Sequence, residues 1–148
     1  MFTSFTTNSL NTMSTRSRIG LELSDGSILS VYHHSDGYPE WLGRILTTHY
    51  NTKELVEQLI DGGDMSCCWT DQRWCSGERH EYGANYYSYR GEDSPPVLDK
   101  NLKSYLKDGE EYAYIFTNKN QWVCWNRHQF DDSKKPEIVK IPEVALAV

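Results

Sequence analysis

Hydrophobic and polar positions change period several times along the chain, and each change predicts an element. From Arg16 the run RIGLELSDGSILSVYHH alternates on both sides of Asp25-Gly26, a pair that tolerates the positive φ angles of a tight hairpin turn. Strands over 16–23 and 28–34 follow. A two-residue loop makes paired numbers sum to 51, setting Leu23 opposite Ile28, Ile19 opposite Tyr32 and Arg18 opposite His33. One face then carries Ile19, Leu21, Leu23, Ile28 and Tyr32, ending in Ser17 and His34, and is assigned to the core. The other carries Arg16, Arg18 and Glu22 with Leu29, Val31 and His33.

After the Asp36-Gly37 turn, Pro39 suits the first position of a helix over 39–49, because its missing N–H leaves no bond unmade there. Trp41, Leu42, Ile45 and Leu46 form its apolar stripe. Thr52 caps a second helix through Ile60, with Leu55, Val56, Leu59 and Ile60 inward and Gly62-Gly63 as the left-handed stop. Asp64 to Glu81, rich in Cys, Trp and charge, has no clean period and reads as a long loop. A strand over 82–90, a GEDSPP turn and a short helix over 98–106 follow. Strands over 111–117 and 121–127 then flank Asn118-Lys119-Asn120. Ile138 to Ile141 is the one later stretch able to add an edge strand.

The pattern predicts a single α+β domain over 13–130, an antiparallel sheet of about five strands with two helices packed on one face. Residues 1–12, MFTSFTTNSLNT, read as a disordered lead-in and 131–148 as an extended tail, with Met13 a candidate start. At 148 residues the chain is long enough to bury a core without disulfide or metal staples.

Composition narrows the function classes. A formal net charge of −6 disfavours a protein that tracks phosphate backbones, so no nucleic-acid partner is expected. No apolar run approaches the roughly eighteen residues that span a bilayer, and no signal-peptide pattern opens the chain. A cytoplasmic protein without a membrane partner is the expectation. Cys67, Cys68, Cys75 and Cys124 show no CxxC spacing and are expected to be reduced. A zinc set of Cys67 or Cys68 with Cys75 and His80 matches no common framework. No cofactor is expected. The ten tyrosines and five tryptophans suit a sheet core better than a base-stacking surface, since Lys and Arg are sparse among them.

STRSRIG at 14–20, HxDGYPxxLGxxL at 34–46, YRGED at 89–93 and GEEYAYIF at 109–116 resemble a family of small uncharacterised tailed-phage proteins over roughly 13–125. The resemblance implies a phage origin and a host-cell setting, and carries no catalytic residue across.

Two clusters are candidates for chemistry. Arg16, Arg18, His34, Asp36 and Tyr38 gather at the open end of the first hairpin, where two guanidiniums beside a helix start suit a phosphate or carboxylate. Arg90, Glu92 and Asp93 form a second set, with paired carboxylates able to do acid/base work. Both also read as ordinary fold devices: a capped turn and solvated loop charges. The expected function is a non-enzymatic module that binds a host protein or a small anionic ligand. The alternative is a small hydrolase or nucleotide-processing enzyme using His34 and Asp36 with Glu92 or Asp93.

Overall fold

The Asp25-Gly26 hairpin forms, but with one residue more in its loop than a two-residue turn allows. In the computed structural model, which describes residues 15–70, 83–107 and 109–143, β1 (Ser17–Glu22) and β2 (Ile28–His33) pair antiparallel. The Leu23 N–H donates to Ser27 O at 2.8 Å and the Gly26 N–H to Leu23 O at 2.9 Å, with Gly26 at φ +89°. A turn closed by a left-handed glycine is the common three-residue hairpin loop. Asp25 Oδ1 holds it by accepting from the Ser27 N–H at 2.9 Å and from its hydroxyl.

That extra residue corrects the expected register. Ser17 pairs with His33, Arg18 with Tyr32 and Ile19 with Val31. Because side chains alternate along a strand, a one-residue slip turns all of β2 over. Leu29, Val31 and His33 therefore join Ile19 and Leu21 on the first face, and Ile28 and Tyr32 move to the second. The alternation of β2 could not reveal this, because both of its faces are apolar and both are covered.

The first face is covered by a wide helical turn, Pro39–Gly43, that tightens into α1 (Arg44–His49), and by α2 (Lys53–Asp61). Thr52 caps α2 by accepting from the Leu55 N–H at 3.2 Å, as its sequence predicts, and Gly63 supplies the left-handed stop at φ +88°. Leu42, Ile45, Leu46, Val56, Leu59 and Ile60 pack on Ile19, Leu21, Val31, Tyr114 and Phe116. Leu55 departs from its expected stripe and stands 37% exposed.

The described strands form one sheet of eight, larger than the five expected, in the order β4-β3-β2-β1-β6-β7-β8 with β5 beside β2. Here β3 is Met65–Thr70, β4 Gly83–Tyr86, β5 Val97–Asp99, β6 Tyr112–Phe116, β7 Trp122–Asn126 and β8 Glu137–Val139. The sheet is mixed, not antiparallel: β1 runs parallel to β6, and β2 parallel to β3. The second pairing follows from connectivity, since α1 and α2 carry the chain across the sheet face and return it in the same direction. β3 escaped the sequence pattern because its pairing with β4 is irregular, with register shifts that break the alternation. β5 and β8 have three residues each, too few to show a period.

The expected 98–106 helix is shorter: β5 takes 97–99, and α3 spans Leu102–Lys107 on the opposite face of the sheet. Tyr105 is fully buried there with Ile28, Ala113 and Ile115, and donates its hydroxyl to Tyr114 O at 2.8 Å. Gly20 permits this close approach, since a Cβ there would lie 2.8 Å from Ile28 Cγ2 and 3.1 Å from Tyr105 Oη. The strand expected over 82–90 ends at Tyr86 and continues as a 3-10 turn, Tyr87–Arg90. Met1 to Thr12, Met13, Cys75 and His80 lie outside the described residues.

Candidate functional site

The register slip exchanges the surroundings of the two histidines. His33 is 1% exposed, on the sheet face that α1 and α2 cover, with its Nδ1 3.4 Å from Ser17 Oγ. Burial, helped by the charge of His34, pushes it down to about 3, so it is neutral at pH 7. Its Nε2 has no hydrogen-bond partner among the described residues. His34 sits on the other face, half-buried, with Nδ1 2.7 Å from Tyr32 Oη. Burial first and Arg16 second lower its pKa, against an opposing push from Glu110. Burial raises the Tyr32 phenol to about 12, so the phenol keeps its proton.

Of the sequence-predicted residues, Arg16 acts on His34 and on Tyr32 through the field of its charge. Arg18 points to β2, donating Nε to Ser30 Oγ at 2.9 Å and Nη2 to Ser30 O at 3.2 Å. Asp36 is exposed at φ +56° and shapes the turn, which Tyr114 fixes by donating to Gly37 O at 2.7 Å. The Tyr38 carbonyl accepts from Trp41 and Leu42 N–H groups and so starts the helical turn. Arg90 lies 4.7 Å over the Tyr87 ring, and its Nε is 3.6 Å from Glu92 Oε2. No ion pair joins Arg90 to Asp36 among the described residues, and Asp93 is exposed. The two clusters still border one patch: Asp64 Oδ1 accepts from the Tyr32 N–H at 2.8 Å, and Asp64 O accepts from the Tyr87 N–H at 3.1 Å.

A second site was missed. A groove of about 620 Å³ runs between α3, β7 and the loop 127–136. Leu102, Leu106 and Trp125 supply its apolar lining, and Lys103, Lys107, Lys134 and Lys135 bring exposed ammoniums to it. Arg127 holds the walls together by donating to the carbonyls of Leu106 and Lys107 at the end of α3 and of Gly109 and Glu110 in the segment that follows it. Asp131 and Asp132 also line the groove, but Asp131 turns its Oδ1 to the Ser133 N–H and hydroxyl at 3.0 and 2.6 Å. The repeat of Leu and Lys four residues apart in LKSYLK was legible in sequence. Its meeting with Lys134 and Lys135 was not.

Cys68 and Cys124 carry free thiols, each pushed up to about 12 by burial, which makes them poor nucleophiles. No group of three His, Cys, Asp or Glu side chains able to hold a metal occurs among the described residues. No helix among them is long and apolar enough to cross a membrane. Comparison of the chain with protein-family models, curated proteins and solved structures finds no match.

Proposed function

We propose that the chain is a non-enzymatic binding module that holds an anionic ligand in the groove between α3, β7 and the 127–136 loop. The observation that carries this reading is the groove itself: four exposed lysines around an apolar lining, on a chain whose net charge is −6. A concave surface lined by one sign of charge focuses its field and raises the local concentration of anions, and it does so here against the net negative charge of the chain. In keeping with the phage resemblance, the ligand is a host protein or a small anion met during infection.

The hairpin rim is the weaker contact surface, because the guanidinium of Arg18 is engaged by Ser30 and that of Arg90 by Glu92 and Tyr87. The hydrolase reading asks for His34 beside a carboxylate of Asp36, Glu92 or Asp93. His34 instead meets the Tyr32 phenol, which favours binding over catalysis.

A thermal-shift panel of citrate, ATP, inorganic polyphosphate and acidic peptides tests this. A ligand at about 100 times its dissociation constant stabilises by about 2.7 kcal/mol, so one class of anion should raise Tm clearly. The rise should disappear in Lys103→Ser, Lys107→Ser protein. If no anion moves Tm in either protein, the groove is not a binding site.

A further inference from the structure

We infer that the occupant of this groove is an acidic amphipathic helix of another protein, its apolar side chains on Leu102, Leu106 and Trp125 and its carboxylates between the lysines. The inference rests on the groove being the binding site and adds the chemical class of its partner.

Three observations point to a helical peptide. First, the apolar and cationic positions of α3 repeat together: Leu102 and Leu106 are four residues apart, and so are Lys103 and Lys107. At 1.5 Å rise per residue each pair spans about 6 Å, one turn. A partner helix with leucine-like and acidic side chains four apart matches both stripes at once, the usual helix-in-groove arrangement.

Second, the lining is apolar where a nucleotide would need an open aromatic face. Trp125 packs against the cluster of Ile28, Tyr105, Ala113 and Ile115, and the positions beside it are leucines. One partly buried ring among leucines suits apolar side chains better than a row of stacked bases, which needs several aromatic platforms. Third, Leu102 in the groove lining is 37% exposed, and Phe130, 85% exposed, stands on the same loop in the adjoining depression beside Glu111 and Asn126. Large exposed apolar side chains beside a cationic rim mark a surface for apolar anchors flanked by negative charge.

The test uses the full chain and three labelled probes followed by fluorescence anisotropy. They are a helical peptide of about four turns with leucines four apart and Glu beside each, the same peptide with serine for both leucines, and a single-stranded oligonucleotide; unlabelled inorganic polyphosphate serves as competitor. The leucine peptide is expected to bind, and to weaken about tenfold or more with serine in place of leucine, with Lys103→Glu, Lys107→Glu protein, and with added salt. Circular dichroism confirms that the variant is folded, and Leu102→Ser protein, altered only at a partly exposed position, repeats the loss from the apolar side. If the serine peptide or polyphosphate binds as tightly as the leucine peptide, the helical-partner inference falls while anion binding stands. Tighter binding of the oligonucleotide than of the leucine peptide overturns the inference in favour of nucleic acid. If no probe binds, both readings fall.

Discussion

Ser17 and His33 face each other across β1 and β2, with the serine Oγ 3.4 Å from the imidazole Nδ1, and both residues are buried. A histidine held neutral at about 3 in the folded chain, against 6.5 for the free group, links stability to pH. Below pH 6.5 the unfolded chain takes up a proton that the folded chain refuses. Stability is therefore complete above pH 6.5 and is lost as pH falls from there toward 3.

The expected size of this effect is roughly 2.5 kcal/mol between pH 7 and pH 4.5, since each unit below 6.5 contributes about 1.4 kcal/mol. Urea denaturation at the two pH values measures it, and His33→Leu should remove that part of the acid limb. Equal pH dependence in parent and variant would mean that His33 is not the group responsible.

His34 should titrate below the ordinary histidine value of 6.5, with Arg16 and Glu110 acting in opposite directions. Arg16→Gln is expected to raise its pKa and Glu110→Gln to lower it, both read from the His34 ring protons by NMR titration. Shifts of the same sign in both variants would contradict the arrangement around Tyr32.

Gly20→Ala should destabilise the fold. Alanine gains about 0.5–1 kcal/mol over glycine in a strand, but the new methyl meets Ile28 and Tyr105 at overpacked distances, costing typically 1–3 kcal/mol. A double-mutant cycle with Tyr105→Phe, which removes one of the two oxygens 3.1 Å from the new methyl, should show coupling between the two sites. Additive losses would place the strain elsewhere.

Arg127→Ala strips donors from the Leu106 and Lys107 carbonyls that end α3, and charged hydrogen bonds of this kind contribute about 1.5–3 kcal/mol. Arg127→Lys should recover only part, because one ammonium cannot match the reach of the guanidinium fork. Hydrogen exchange in α3 should quicken in the alanine variant, with α2 unaffected. Unchanged exchange in α3 would mean that its end is held by other contacts.

Much of the fold follows from local chemistry alone. Thr52 and Gly63 bound α2, Pro39 opens the segment before α1, and the alternation around Asn118-Lys119-Asn120 sets β6 and β7. Each is decided within a few residues of chain by a cap, a ring constraint or a side-chain period. The facing of β2 is different in kind. Ile28 and Tyr32 on one side and Leu29 and Val31 on the other are equally apolar, so only the packing of α3 on one face and of α1 and α2 on the other shows which belongs where.

The candidate sites divide along the same line. The sequence alone determined that Arg16 and His34 lie near the open end of the first hairpin, because strand and turn are local. It also displayed the four-residue repeat of leucine and lysine in α3. Three-dimensional packing makes His33 fully buried and leaves His34 half-buried, and it brings α3 to Lys134 and Lys135 across a groove. The first depends on a single extra residue in a turn, and the second on Arg127 gathering carbonyls some twenty positions away in the chain. Neither long-range packing nor a one-residue slip leaves a periodic trace in the sequence.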